Sequence, residues 1–247
     1  MRLDRLLANM GYGSRKDIQA LVKAGRVVLD GRPIARADDH VPVAPDLATR
    51  LTIAGKPLDP VPGFVVMLHK PLGVTCSHKE AGPLVYDLLP PRWRLRKPAV
   101  STIGRLDKET SGLLLLTDDG ALSHRVIAPK SEVTKRYVVT LARPLRGDEG
   151  AILASGTLML EGETTPLLPV AMDVVAASET ATPVDGPVVT VTLTEGRYHQ
   201  VRRMFAALGN HVTALHRDRI GGLALPGDLP AGRHRLLVAD DIAAIFG

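Results

Sequence analysis

Residues 104–120 read "GRLDKETSGLLLLTDDG". Four consecutive leucines, Leu113 to Leu116, make a short apolar run that suits a central strand buried on both faces. One carboxylate, Asp107, precedes the run between Arg105 and Lys108, and Asp118 and Asp119 follow it. The leucines alone span roughly 10 Å at about 3.3 Å per residue. Unless the chain turns back sharply, Asp107 is then too far from the other two for a glycosidase-type pair, whose carboxyl groups lie about 5–9 Å apart. Asp118-Asp119-Gly120 reads as a turn in which one aspartate caps the helix that follows. Asp107 has two readings: a nucleophile held against a buried floor, or a surface-turn aspartate paired with arginine.

Outward from this stretch, "FVVMLHKP" (64–71) is a buried strand ended by proline, and "KRYVVTL" (135–141) is another. "VVTVTLTEG" (188–196) alternates, with Val189, Val191 and Leu193 on one face and threonines on the other. "RYHQVRRMFAALGNH" (197–211) is a helix closed by Gly209. Strands and helices mix without a βαβ rhythm, which predicts an α+β domain around a mixed or largely antiparallel sheet.

The N-terminal segment is a separate module. Leu3, Leu6, Leu7 and Met10 form one helical stripe. Ser14 and Asp17 make a capping box for a second helix, carried on by Ile18, Leu21 and Val22 and stopped by Gly25. "RVVLDGRPI" (26–34) is a hairpin with an Asp-Gly turn. Five prolines fall within residues 42–62, and "PLDPVPG" reads as a linker. The expected division is a small domain at 1–58, a linker at 59–63 and a larger domain at 64–247.

Charge separates the two parts. Residues 1–36 hold eight of the 31 Lys/Arg and three of the 26 Asp/Glu, so the other 211 residues carry 23 of each and the net +5 sits at the N-terminus. A basic patch of this kind suits a phosphate backbone. Arg2, Arg5, Arg15, Lys16 and Arg26 are its candidate contacts. The alternative is a solubilising surface. No apolar run approaches 18 residues, so no membrane span is expected. The N-terminus lacks the apolar core of a signal peptide. The single cysteine, Cys76, excludes an internal disulfide framework, and a reducing cytoplasm fits. No neighbouring base marks Cys76 as a nucleophile.

In the 197–211 helix, Val201, Met204, Phe205 and Leu208 form the apolar stripe. At about 100° per residue, Arg202 lies some 60° beyond its edge and Arg203 points nearly opposite. A guanidinium at a core boundary needs a partner; for Arg202 the candidates are Asp107 and the local Glu195. Arg203 is expected to be free for solvent or phosphate. Tyr137, beside Lys135 and Arg136, is either a stacking surface for an extruded base or ordinary sheet packing. His199, His211 and His216 have no zinc-site spacing, "TDDG" lacks the ligand alternation of a calcium loop, and no Gly-rich phosphate loop occurs. Neither metal nor cofactor is expected. Aromatics number only eight, too few for an evident multi-base stacking platform.

Together, "HKPLGVTCS", "GRLDKETSGLLLLTDDG", "TKRYVVT" and "EGRYHQVRRMFAALGNHVTALHR" resemble the pseudouridine synthases, specifically the ribosomal small subunit pseudouridine synthase A family. The N-terminal module resembles an S4 RNA-binding domain. The resemblance covers almost the whole chain. It implies isomerisation of a uridine in 16S rRNA, the one numbered 516 in the usual rRNA scheme, by a monomeric enzyme without metal or cofactor. It implies that Asp107 is the catalytic aspartate, that Tyr137 packs on the target base, and that Arg202 pairs with the aspartate. Arg105 would fill the space left by the flipped nucleotide. Apart from the resemblance, Lys135, Arg197 and Arg203 are further candidate RNA contacts. One departure is Arg202 itself, where the small-subunit branch often carries lysine and large-subunit relatives tend to carry arginine. A 23S rRNA synthase and a non-catalytic ribosome-assembly protein are the competing readings.

Overall fold

The structure, a computed structural model, describes residues 1–128, 130–176 and 186–247. The chain begins with α1 (Leu3–Asn9) and α2 (Arg15–Lys23). The Ser14 hydroxyl accepts from the Asp17 amide while Asp17 accepts from the Ser14 amide at 2.7 Å, closing the expected capping box. β1 (Val27–Leu29) and β2 (Arg32–Pro33) flank a turn in which Asp30 and Gly31 both have positive φ, 50° and 78°, as a two-residue hairpin of this hand requires.

The Pro-rich stretch is more ordered than a linker. α3 (Leu47–Arg50), β3 (Leu51–Ile53) and β4 (Lys56–Pro57) complete a four-stranded sheet of order β2-β1-β3-β4. Arg50 secures it by bonding both Asp30 and Asp46. Leu58 and Val61 belong to the same core as Leu3, Leu6, Leu7 and Ile18, so packing with the N-terminal unit continues into 59–63.

The second sheet holds nine strands. Its main path runs β13 (His234–Leu236), β5 (Val65–Lys70), β7 (Ser111–Thr117), β11 (Val212–Ile220), β8 (Lys135–Leu141), β10 (Val188–Leu193), β9 (Ala171–Val174). β6 (Ser101–Ile103) and β12 (Leu223–Ala224) attach to β7 and β11. All pairings are antiparallel except β7 with β11. Among the described residues, four α-helices accompany this sheet: α4 (Gly120–Ile127), α5 (Glu149–Ala154), α6 (Gln200–Ala207) and α7 (Ala239–Ala244).

β7 is central, and its four leucines are fully buried. Period-two geometry sends them alternately to two cores. Leu113 and Leu115 pack with Val65, Met67 and Ile220; Leu114 and Leu116 pack with Val66, Leu68, Trp93 and Leu106. Each leucine contributes about 1.5–3 kcal/mol by leaving water. A third core joins Val139, Val189 and Val191 to the α6 stripe Val201, Met204, Phe205 and Leu208.

The two aspartates after β7 differ. Asp119 caps α4, accepting from the amides of Ala121 and Leu122. Asp118 is not a cap. Its carboxylate is buried, accepts from the Gly63 amide at 2.7 Å and lies 3.4 Å from the buried Arg96. Arg96 also donates to Pro60 O and stacks over Phe64. Burial pushes the Asp118 carboxyl above, and the Arg96 guanidinium below, their usual pKa ranges. The pair fastens residues 60–64 to the far end of β7.

Candidate active site

The loop 104–110 leads into β7, and three features hold it. Lys70, at the end of β5, is fully buried and donates to Pro71 O, Thr110 O at 2.8 Å and Lys108 O at 3.4 Å. Desolvation lowers its ammonium pKa; the ring of carbonyls is what accommodates the charge. The Gly73 amide donates to Lys108 O, and the Thr110 amide closes a turn on Asp107 O. At the start of β7, Gly112 has φ +113°, and a Cβ there would lie 2.1 Å from Arg217 O. Only glycine allows β7 and β11 to meet in parallel at Ser111↔His216 and Gly112↔Arg217.

Above this floor lies a cleft of about 100 Å³, lined by Arg105, Leu106, Asp107, Thr110, Tyr137, Leu193, Gly196, Arg197, His199, Gln200, Val201 and Leu215. The volume suits one flat ring. Its apolar side chains come from the loop, β10, α6 and β11, and Tyr137 from β8 is the aromatic wall. The Asp107 side chain is one-third exposed, and the His199 ring is its neighbour, with Nε2 3.5 Å from Oδ1. Among the described residues nothing donates a hydrogen bond to its carboxylate oxygens. Asp107 and Tyr137 thus share one cleft, and Arg105 stands exposed on its rim.

Arg202 does not pair with Asp107. Its guanidinium donates to Val212 O at 3.1 Å and Glu109 O at 2.8 Å. The helical period correctly puts it at a core boundary, but the partners there are backbone carbonyls. Through Glu109 it fastens the Asp107 loop without touching the carboxylate. Glu195, the other candidate partner, bonds Arg197 and Gln200 instead.

Three expected RNA contacts are occupied internally. Arg203 bonds Glu163 at 2.8 Å and Glu161 O. Arg197 bonds Glu195, Glu163, Thr165 O and Pro166 O. Both clamp residues 161–166 against the loop ahead of α6. Lys135 is turned inward onto Val133 O and Thr194 O, and burial lowers its pKa. In the N-terminal unit Arg2 forms a two-point pair with the buried Asp4. Arg5, Arg15, Lys16 and Arg26 are exposed, with no carboxylate partner among the described residues.

Sequence reasoning missed Arg217. It is buried on β11, opposite Tyr137 on β8. Its Nε donates to Leu113 O at 2.8 Å, Nη1 donates to the Tyr137 hydroxyl at 3.3 Å, and Nη2 is unpartnered. The guanidinium therefore ties the tyrosine to the leucine strand. The available signal was alternation: Leu215 and Arg217 share one strand face, so this arginine points where a leucine points. Buried Cys76 lies near these cations, yet burial raises its thiol pKa, which argues against a reactive thiolate. Among the described residues no group of three His, Cys, Asp or Glu side chains is placed to hold a metal ion, and no helix is long and apolar enough to cross a membrane.

Comparison with known proteins identifies the family. The S4 domain model matches residues 1–43, and the model described as RNA pseudouridylate synthase matches residues 64–207. An uncharacterised RNA pseudouridine synthase of Bacillus subtilis (strain 168) is 39% identical over 98% of this chain and 97% of its own length. The ribosomal small subunit pseudouridine synthase A of Escherichia coli (strain K12) is 37% identical over 99% and 100%. A solved pseudouridylate synthase crystal structure superposes with a TM-score of 0.65 at 33% identity, covering 99% of both chains. The synthase model over 64–207, the S4 model over 1–43 and full-length relatives 39% and 37% identical place the chain in the RNA pseudouridine synthase family, whose members are isomerases.

Proposed function

We propose that this chain converts one uridine of small-subunit (16S) rRNA to pseudouridine, the uridine numbered 516 in the usual scheme, as a cytoplasmic monomer. The observation that carries the reading is the match, end to end, to the small subunit pseudouridine synthase A of Escherichia coli. We assign residues 1–58 to RNA binding, 59–63 to the connection and 64–247 to catalysis.

In this reading the uridine leaves its stack, as chemistry on a base requires, and enters the cleft against Tyr137. Asp107 attacks, at the ribose C1′ or at the uracil ring. The bond from N1 to C1′ breaks, the uracil turns, and C5 bonds to the same carbon. The carboxylate is released, C5 loses its proton and N1 gains one, so the product is an isomer and no co-reactant is consumed. The place of Asp107 in the cleft, one-third exposed and within reach of a ring beside Tyr137, supports a nucleophilic role. Arg217 positions Tyr137, and Arg202 positions the Asp107 loop through Glu109. Arg105 enters the space vacated by the uridine. Arg5, Arg15, Lys16 and Arg26 hold phosphates.

The test is a pseudouridine map of both rRNAs from a strain lacking the protein, then complemented with the wild type and with Asp107→Asn. One 16S pseudouridine should vanish, return with the wild type and stay absent with the variant. Loss of a 23S site instead would make this a large-subunit enzyme. An unchanged map would refute the reading.

A further inference from the structure

Tyr198 is the most exposed large apolar or aromatic side chain among the described residues, at 72%. A single exposed ring is ordinary on a protein surface; what sets this one apart is the ring that backs it and its place beside Asp107. One face is already covered: the His199 ring lies on it with centroids 3.9 Å apart and planes 15° from parallel. The other face is open. His199 holds this arrangement with φ +49°, a left-handed conformation that costs a non-glycine residue about 1 kcal/mol or more. It stands at the N-cap of α6 yet makes no capping bond there. Helix capping therefore does not account for the strain.

The backbone under the two rings is fixed from several sides. Arg203 donates to Tyr198 O at 3.2 Å, the Arg197 amide donates to the Gln200 side chain at 2.8 Å, and the Arg197 guanidinium grips Thr165 O and Pro166 O. The stack also adjoins the chemistry, since the His199 ring is the one 3.5 Å from the Asp107 carboxylate. The cleft beside it has room for a single ring. When a nucleotide is drawn into such a cleft, the base next to it in the strand loses its stacking neighbour and remains outside, at the mouth.

We propose that the open face of Tyr198, backed by His199, is a subsite that stacks the RNA base adjacent to the target uridine. This rests on the RNA-modifying reading above and extends it from the target to its neighbour. Tyr137 works inside the cleft; Tyr198 replaces the lost stack at its entrance. Stacking tolerates any base, so the subsite adds affinity and direction along the strand rather than sequence choice.

The experiment uses the full chain carrying Asp107→Asn, so that binding is read without turnover. Its probe is a short fluorescent single-stranded RNA with one central uridine. Adding Tyr198→Ala should weaken binding roughly fivefold or more, whereas Tyr198→Phe should stay within twofold of the parent. In the otherwise wild-type chain acting on rRNA, Tyr198→Ala should raise KM by a similar factor and leave kcat within about twofold. Binding by Tyr198→Ala within twofold of the parent would overturn the subsite even if uridine conversion is normal. If the wild-type chain makes no pseudouridine but the binding loss persists, the subsite stands and the enzymatic reading falls.

Discussion

The two ends of β7 carry aspartates in opposite circumstances. At its far end Asp118 is buried, bonded by a backbone amide and faced by an equally buried arginine. At its near end Asp107 is one-third exposed, lies in a cleft and has a histidine ring as its neighbour. One strand thus separates an acid spent on holding the molecule together from an acid left unspent. Burial and satisfied lone pairs suit a fastening; access from a cleft suits a reaction.

The contrast breaks most sharply with Asp107→Asn. Turnover of rRNA uridine should fall about a thousandfold or more, the scale of losing a nucleophile, while the thermal midpoint stays within about 2 °C of wild type. Arg96→Met should do the reverse. Removing one member of a buried pair costs about 3–5 kcal/mol, seen as a lowered Tm, while kcat per folded molecule stays within about twofold. Its pH dependence follows from Asp118. Burial already raises that carboxyl, and losing Arg96 raises it further, so the unfolded chain releases the proton at lower pH than the folded one. Stability is then lost as pH rises through the folded value. The deficit of Arg96→Met should therefore shrink as the pH is lowered from about 7 towards 4, and a constant or growing deficit would contradict this account.

Gly112→Ala lies between the two extremes. A Cβ there would meet the Arg217 backbone at a φ unfavourable to alanine. We expect a stability loss of about 3 kcal/mol together with reduced kcat, because the same contact supports the Asp107 loop. Urea unfolding and steady-state rates on one preparation would check both. The smallest effect belongs to Arg15→Gln with Lys16→Gln. Activity at saturating RNA should be unchanged, with binding weakened a few-fold at low salt and the salt dependence reduced by about one unit per lost phosphate contact.

Much of this was legible in the residues, for physical reasons. The leucine run, the capping box and the Asp-Gly hairpin are local patterns, and each formed where it was read. β3 and β4 were hidden because strands of two or three residues among prolines show no period. Arg202 marks a different limit. A helical wheel gives the direction of a side chain, but its neighbour depends on how α6 docks, which no local pattern encodes. Arg203 and Arg197 were assigned outward for the same reason, since Glu163 and Thr165 O, which help to hold them, lie some 30 to 40 residues earlier. Arg217 was legible in the alternation of β11 but obscured by the neighbouring Arg219, which looks identical by composition.

The parallel contact of β7 with β11 also has a meaning in time. In the N-terminal sheet the widest β1–β3 pair is Val27 with Ile53. In the larger sheet Ser111 waits for His216, and Leu68 waits for His234. Contacts this distant form late and slowly, and synthesis proceeds from the N-terminus. A nascent chain therefore completes its basic unit more than 150 residues before the strand that closes the cleft floor exists. The order in which this molecule is made is that it can be charged and folded at one end long before it has a pocket at the other.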